Sequence, residues 1–242
     1  MNLTSSLVII SVAALIHASF QLSVSMLTLL SSHTIGRKRS HARLVTLTNS
    51  FLVGAAVMTT LLISFTAFGV SLYLNYAHSP AFLWTVGCGL VAGLGLAVWL
   101  FYYRRHQGTT LWIPRELARF LSSRAKKTHG SGEAFSLGLT SVVSEVLFIA
   151  APTIIAALAI AQLSPAWQLG GLAIYVLISL FPLVIVTGLI GSGHSISRIQ
   201  KWRETNKNFL QFAAGAGLIV LGVYVYVDQV VTETVIAAAR SI

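Results

Sequence analysis

Glu145 is the residue whose chemical type and position most clearly predict a function. It lies within the apolar stretch GLTSVVSEVLFIAAPTIIA, which runs from Gly138 to Ala156, and it is the only Asp, Glu, Lys or Arg inside a predicted span. A carboxylate at bilayer depth costs about 2.5 to 3.5 kcal/mol on insertion scales, so such groups usually face a bundle interior or a wet cavity. We therefore expect Glu145 to act in a binding site. The alternative is a buried carboxyl that bonds a hydroxyl and only holds helices together.

Further polar residues repeat a spacing of four, which places side chains on one helical face. His17 and Gln21 show this spacing in the first span, and Ser141 and Glu145 show it in the fourth. We expect these faces to meet in a cavity near the bilayer midplane. The predicted lining residues are His17, Gln21, Asn49, Ser141, Ser144, Glu145, Tyr175 and Ser179.

The chemistry that this set predicts is proton-coupled binding. Glu145 and His17 could exchange a proton as a substrate binds or leaves, since both can change charge. For His17, a neutral ring bonded to a neighbouring hydroxyl is an equal alternative. For Gln21, a simple contact between helices is the preferred alternative.

Two prolines lie inside predicted spans, and we interpret both as hinges. Pro152 follows Glu145 by seven residues. It removes one intrahelical hydrogen bond and frees a carbonyl on about the same face as the carboxyl. Pro182 lies near the middle of the fifth span, where it favours either a discontinuous helix or an inert kink. Transporters use polar, interrupted helices of this kind at their binding sites.

The composition identifies the class of protein that holds these residues. The chain has 242 residues, of which 55% are hydrophobic and 9% charged, whereas soluble domains carry about 25% charged residues. An integral membrane protein is therefore predicted. The net charge of +10 does not indicate nucleic-acid binding, because Lys and Arg cluster in three short connections between apolar spans.

Six stretches reach the roughly 20 residues that a helix needs to cross the hydrocarbon core. They are Leu7 to Leu30, Val45 to Leu74, Phe82 to Tyr103, Phe135 to Ala161, Leu169 to Ile190 and Phe209 to Val227. The first, third and fifth connections are rich in Lys and Arg, and the second and fourth contain neither. By the positive-inside rule the odd connections are cytoplasmic and both termini lie outside.

The fold class that follows is an all-α polytopic membrane protein with six transmembrane helices. Residues 1–104 form a first three-helix repeat, 105–134 a basic cytoplasmic linker, and 135–242 a second repeat. The linker segment IPRELARFLSSRAKK places Leu117, Phe120 and Leu121 on one face opposite basic residues. It is predicted to be an interfacial helix on anionic lipid headgroups, and a plain solvated linker is the alternative.

Three spans in each half require that any repeat be inverted, because an odd number of spans reverses the chain direction. The third span contains GCGLVAGLG from Gly87, and the sixth contains GAGLIVLGV from Gly215. Aligning the first and fourth spans on their polar residues places Gln21 opposite Glu145. We expect the glycines of the third and sixth spans to serve close helix packing rather than chemistry. These glycines are Gly87, Gly93, Gly95, Gly215, Gly217 and Gly222.

Several chemistries are excluded by the residues present. The single cysteine, Cys88, rules out an intramolecular disulfide and a CxxC redox pair. One histidine and one carboxylate are too few for a transition-metal site, so no metal and no cofactor is predicted. No catalytic motif of a hydrolase or P-loop enzyme occurs, and we expect no enzymatic activity.

The chain resembles the lysine exporter (LysE) superfamily, which includes amino-acid exporters and thiol-disulfide transporters of the DsbD and CcdA type. The resemblance rests on the polar first and fourth spans, on the basic linker from Arg104 to Lys127, and on the connection SRIQKWRETNKNFLQF that leads into a glycine-rich last span. It implies a six-helix transporter of two three-helix halves. The sequence lacks the cysteines that the CcdA-type relatives use in the first and fourth spans, and it lacks the proline-glycine signature of the amino-acid exporters.

The expected function is export of a small solute or ion, coupled to protons through Glu145, in the bacterial cytoplasmic (inner) membrane. A homo-oligomer is compatible with the sequence. Two alternatives stay open. The first is a membrane scaffold or assembly factor that does not transport, and the second is a CcdA-like membrane redox protein without the cysteine pair.

Overall fold

The computed structural model describes residues 2–20, 27, 30, 41–76, 80–102, 115–192, 198, 201–202 and 205–232. Over these residues the chain is helical and contains no strand, which confirms the all-α class. The helices are α1 Leu3–Ser19, α2 His41–Tyr76, α3 Pro80–Ala97, α4 Arg115–Lys127, α5 Ser131–Ala161, α6 Pro165–Gly191 and α7 Lys207–Tyr226. Two π-helical turns, Val98–Tyr102 and Val227–Val231, continue α3 and α7.

Five helices are long and apolar enough to cross a membrane, which makes the protein a helical membrane protein. Their apolar segments are His41–Leu74, Ala81–Leu100, Ser131–Ala161, Pro165–Gly191 and Asn208–Val231. They correspond to the second to sixth predicted spans. The first predicted span begins in α1 and continues into residues outside the described part of the chain.

Local sequence signals fix several helix ends. The Asn2 side chain accepts a hydrogen bond from the Ser5 backbone N–H at 2.7 Å and caps α1. The Glu133 carboxylate accepts hydrogen bonds from the His129 and Gly130 backbone N–H groups at 2.6 and 3.2 Å, just before α5. Both contacts pair backbone donors that have no partner within a first helical turn.

The prolines inside the spans do not interrupt their helices. α5 is continuous through Pro152, and α6 is continuous through Pro182. The interpretation of Pro182 as the site of a discontinuous helix is therefore wrong, because neighbouring turns keep the helix intact where one hydrogen bond is lost. A hinge at either proline stays a prediction.

α5 is the central helix of the bundle. Over an apolar window of 18 residues, 67% of the residues of α5 are buried inside the protein, against 28% to 39% in the other four membrane-length helices. It packs on α1, α2, α3, α4 and α6. Glu145, which is 2% exposed on this helix, is therefore surrounded by protein on most sides.

Two hydrogen bonds between helix ends show the relative directions of α2, α5 and α6. The Arg43 guanidinium donates to the His129 carbonyl at 2.9 Å, and the His41 Nε2 atom lies 2.9 Å from the Gly191 carbonyl oxygen. The starts of α2 and α5 and the end of α6 therefore lie at the same end of the bundle. This arrangement matches the alternating directions that the spans were predicted to have.

Glycines mark the closest helix crossings. A Cβ atom on Gly138 of α5 would overlap the carbonyl oxygen of Phe51, and a Cβ atom on Gly54 of α2 would overlap that of Phe135. In α3 and α7, Gly95 and Gly215 each face the other's carbonyl oxygen, at 3.0 and 3.3 Å from the position that a Cβ atom would occupy.

The packing role predicted for the glycines holds at most positions. Gly87, Gly95, Gly215, Gly217 and Gly222 each have neighbouring atoms within 3.3 Å of the position that a Cβ atom would occupy. The prediction is wrong for Gly93, where no atom of the described residues lies within 4 Å. That glycine is in the middle of α3 but away from its contacts with other helices.

The predicted linker helix is present as α4. Leu121 and Ala125 are buried in one apolar cluster with Ala134 and Leu137 of α5, and the α4 side chains Arg119, Arg124, Lys126 and Lys127 are exposed. Pro114 and the side chain of Leu117 lie outside the described residues. The contact of α4 with lipid headgroups stays a prediction.

Candidate binding site at the centre of the bundle

The most direct polar contact between helices joins His17, Tyr175 and Thr153. The Tyr175 hydroxyl lies 2.8 Å from His17 Nδ1 and 2.8 Å from the Thr153 hydroxyl. The three residues come from α1, α6 and α5, and they are 3%, 0% and 6% exposed. A single hydroxyl group therefore links three of the helices that form the bundle core.

The chemistry of this triad follows from what each group can donate. A tyrosine hydroxyl has one proton to donate and can accept in addition, and the same is true of threonine. If Tyr175 donates to His17, it accepts from Thr153, and if the His17 Nδ1 atom bears the proton, Tyr175 donates to Thr153 instead. Both arrangements satisfy the hydroxyl of Tyr175, so the donor and acceptor roles along the triad can reverse without leaving that hydroxyl unpaired.

Glu145 is buried on α5, the helix that also contributes Thr153 to the triad, but it lies at a different depth along the helix axis. Its side chain is 2% exposed. At 1.5 Å per residue, it lies about 21 Å from the start of α5 at Ser131 and about 24 Å from the end at Ala161. Thr153 is about 12 Å further along the helix. The carboxyl therefore lies near the middle of the span, as the sequence predicts.

Two stacked phenylalanines bring the end of α1 beside the turn that contains Glu145. The Phe20 and Phe148 rings have centroids 5.7 Å apart and planes inclined by 18°. Each ring is three residues beyond a predicted site residue, Phe20 beyond His17 and Phe148 beyond Glu145. The His17 Nδ1 atom bonds the Tyr175 hydroxyl, as in the alternative of a ring bonded to a neighbouring hydroxyl. Proton exchange between His17 and Glu145 stays a prediction.

The predicted serines are buried, and each hydroxyl bonds the backbone of its own helix. Ser141 donates to the Gly138 carbonyl at 2.8 Å, Ser144 donates to the Thr140 carbonyl at 2.8 Å, and Ser179 donates to the Val176 carbonyl at 3.0 Å. Their hydroxyl protons are used within α5 and α6.

Two predicted lining residues are not part of the described cluster, for different reasons. Gln21 lies outside the described residues. Asn49 is exposed, so the prediction that it lines an enclosed cavity is wrong. α2 instead directs the preceding residue, Thr48, into the protein, where it is 0% exposed.

Thr59 is a candidate site residue that the sequence analysis missed. Phe51, Ala55 and Thr59 are spaced by four along α2, so they share one face, and Thr59 is 1% exposed. Gly138 of α5 packs on Phe51 and Ala55, and Glu145 lies two turns beyond Gly138 on the same face. Because α2 and α5 start at the same end, Thr59 lies at the level of Glu145.

The hydroxyl of Thr59 differs from the other hydroxyls in α2. Its oxygen is buried and has no hydrogen-bond partner among the described residues. The adjacent Thr60 donates to the Ala56 carbonyl at 2.8 Å, and Thr66 donates to the Leu62 carbonyl at 2.7 Å. Thr59 is therefore available to a ligand at the level of the central carboxyl.

Replacing Thr59 with valine should raise the free energy of unfolding by about 1 kcal/mol, because valine has the same shape and leaves no unpaired hydroxyl in the core. Thr60→Val is the matched control. It makes the same change at the next position, where the hydroxyl is paired and partly exposed, and it should change stability by less than about 0.5 kcal/mol. Unfolding by SDS titration in mixed micelles measures both variants. A loss of stability in Thr59→Val would show that this hydroxyl is paired in the folded protein.

The described residues offer no metal centre. No group of three or more His, Cys, Asp or Glu side chains in that part of the chain is placed to hold a metal ion. Cys88 is buried and has a free thiol. The residues brought together by the fold are therefore a carboxyl, an imidazole and several hydroxyls, which suit hydrogen bonding and proton transfer.

Comparison of the chain with models of known protein families, with curated proteins and with solved structures found no match. The resemblance to the lysine exporter superfamily therefore stays a prediction from topology.

Proposed function

We propose that this protein is a six-helix secondary transporter of the bacterial cytoplasmic membrane that exports a small solute or ion in exchange for protons. The observation on which the proposal rests is the position of Glu145. Its carboxyl is 2% exposed and lies near the middle of the most buried membrane-length helix. Carboxyl groups at this depth are typical of substrate and proton pathways, since burial without a function costs stability.

The proposal includes an inverted repeat, and the helix contacts support it. If α1, α2 and α3 are equivalent to α5, α6 and α7, the contact of α1 with α6 corresponds to that of α5 with α2. The contact of α3 with α5 likewise corresponds to that of α7 with α1. The pairs α1 with α5, α2 with α6 and α3 with α7 correspond to themselves. All of these contacts are present in the described residues, as an axis of pseudo-two-fold symmetry requires.

The contacts between single residues support a specific register for this repeat. Matching Gly87 with Gly215 shifts residue numbers by 128, which is 215 − 87. The same shift turns the contact of Gly95 with Gly215 into a contact of residue 223 with Gly87. The structure has Gly222 against the Cys88 carbonyl, one residue away at each position.

The stacked phenylalanines fit the same register. Phe148 minus Phe20 is again 128, so these two residues are equivalent and meet where α1 and α5 cross. This register makes His17 the counterpart of Glu145. It replaces the alignment from the sequence, in which Gln21 was opposite Glu145, and it assigns His17 and Glu145 to equivalent places in the two halves.

The mechanism we propose uses both groups. The triad of His17, Tyr175 and Thr153 lies about 12 Å from the end of α5 at Ala161, which is the outer end under the proposed orientation. A proton that enters from outside passes along the triad toward Glu145. Protonation from outside removes the carboxylate charge that favours a bound solute, so the solute leaves outward. When the site then faces inward, the proton is released and the next solute binds.

Proton flux into liposomes that contain the purified protein tests this function. Candidate amino acids and divalent cations are supplied one at a time inside the liposomes, and the proton flux is measured for wild type, Glu145→Gln and Glu133→Gln. Glu133→Gln is the matched control because it makes the same change at an exposed position of the same helix. We expect solute-dependent flux in wild type and in the control, and a loss of at least about 100-fold in Glu145→Gln, since positioned acid groups contribute factors of this size.

Two results would contradict the proposal. The first is an absence of flux with every candidate solute, from protein shown to be folded and inserted. The second is wild-type flux in Glu145→Gln, which would leave transport intact and remove the role of the carboxyl.

A further inference from the structure

A cavity of about 380 Å³ lies between α4 and the first turns of α5. One wall belongs to α4 and contains Phe120, Leu121, Arg124 and Lys127. This cavity is separate from the site around Glu145, because it opens at the end of the bundle where α2 and α5 begin. Its chemistry is therefore independent of the proposed transport.

The α4 wall combines two positive charges with apolar surface. The Arg124 guanidinium carbon lies 5.5 Å from the centre of the Phe120 ring, and this cation–π contact holds the guanidinium at the cavity wall. Lys127 lies one turn further along α4. One acid, Glu133, also lines the cavity. Its carboxylate is engaged by the His129 and Gly130 backbone N–H groups.

The opposite wall is a stripe along α5. Gly132, Ser136 and Thr140 line the cavity at intervals of four residues, so they follow one face over about 12 Å of helix. The stripe begins beside the cations and ends among residues of the membrane span. The cavity is thus charged at its mouth and bears small side chains and hydroxyls deeper in the bilayer.

A ligand for this cavity must have an anionic group at one end and an apolar body that reaches into the membrane. We propose that the cavity binds an anionic phospholipid of the leaflet that faces the basic connections. The lipid phosphate contacts Arg124 and Lys127, and the acyl chains follow the α5 stripe. Arginine pairs with phosphate through two parallel N–H donors, and basic segments at a membrane surface attract anionic lipid.

Lipid retention measured by native mass spectrometry tests the proposal. The full-length protein in detergent is mixed with dioleoyl phosphatidylglycerol or with dioleoyl phosphatidylcholine, and the fraction of protein that retains one lipid is recorded. The test variant is the double substitution Arg124→Gln with Lys127→Gln. The matched control is Arg119→Gln with Lys126→Gln, which removes the same charge from the same helix at two exposed residues that do not line the cavity.

We expect the wild type and the control to retain phosphatidylglycerol over phosphatidylcholine, and the test variant to lose roughly 30-fold in phosphatidylglycerol binding, as two lost basic contacts at a lipid surface predict. Equal loss in both double variants would mean that α4 attracts anionic lipid without a site, and would overturn the proposal. Displacement of the lipid by excess inorganic phosphate would identify a free-phosphate site and would also overturn it.

The apolar part of the cavity has a test that keeps every charge in place. No atom of the described residues lies within 4 Å of the position that a Cβ atom on Gly132 would occupy, so a side chain can begin there without a clash. We expect the ring in Gly132→Phe to fill the mouth of the α5 stripe. Gly89→Phe is the control, because it makes the same change at another open glycine, in α3. Retained phosphatidylglycerol in the control and lost retention in Gly132→Phe support the lipid site. Equal retention in both variants would overturn the placement of the acyl chains along α5.

Discussion

Replacing Gly138 with alanine should destabilise the protein by more than about 3 kcal/mol, the upper end of ordinary overpacking. The added methyl group would overlap the Phe51 carbonyl oxygen and lie 2.9 Å from the Ala55 backbone nitrogen. Both are backbone atoms of α2, so no change of side-chain rotamer relieves the clash. The whole of α2 would have to move away from α5, and this movement would increase the distance between Thr59 and Glu145.

Gly69→Ala is the matched control for this prediction. No atom of the described residues lies within 4 Å of the position that a Cβ atom on Gly69 of α2 would occupy, and alanine forms helix more readily than glycine by about 1 kcal/mol. The control should therefore leave stability unchanged or raise it. Unfolding by SDS titration in mixed micelles compares the two variants. A small effect of Gly138→Ala would mean that α2 and α5 do not cross as closely as the structure has them.

Much of this fold is predictable from the sequence because desolvation dictates it. A backbone inside hydrocarbon has to be helical, and each run of about 20 apolar residues shows where a helix crosses. α4 is predictable for a related reason, since Leu121 and its neighbours repeat at helical spacing opposite basic residues. These signals are local, so they need no knowledge of which helices touch.

The contacts between helices are harder to predict because lipid and protein interiors are equally apolar. α2 has apolar residues on all sides, so its sequence does not show that Thr48 and Thr59 face inward while Asn49 faces outward. The pattern i, i+4 selects the correct face for Tyr175 and Ser179 because both are polar. The same pattern does not show which residues of two different helices lie at the same depth. The contact of Thr153 with Tyr175 could therefore not be predicted from the sequence.

The glycine motifs of α3 and α7 indicate in part how the two three-helix halves align with each other. The repeated G-x-G-L sequence that begins at Gly87 and Gly215 suggests equivalent helices, and the crossing of Gly95 with Gly215 agrees with that equivalence. The polar spacing in the first and fourth spans suggested a different alignment, with Gln21 opposite Glu145. Close packing of two backbones requires a small residue at one particular position of a helix. A polar residue can occupy several positions on the same face, so it defines the alignment less strictly.

Replacing Tyr175 with phenylalanine should destabilise the protein by about 1 to 3 kcal/mol, because the change leaves two buried polar groups without their shared partner. The Thr153 hydroxyl can turn back to its own helix, as Ser141 and Ser144 do, but the His17 ring is 3% exposed and has its described hydrogen bond only with Tyr175. Tyr224→Phe is the control, since that side chain is 43% exposed. Equal stability of Tyr175→Phe and wild type in SDS titration would contradict the triad.

A double-mutant cycle separates the hydrogen bond from the general effect of losing polar groups. His17→Leu and Tyr175→Phe should each destabilise the protein, and the double variant should lose less than the sum of the two by about 0.5 to 2 kcal/mol, as expected for residues in direct contact. Additive effects would mean that the two side chains act independently. The cycle also bears on the proposed proton path, because a relay through Tyr175 requires that the ring of His17 and the hydroxyl be coupled in the folded protein.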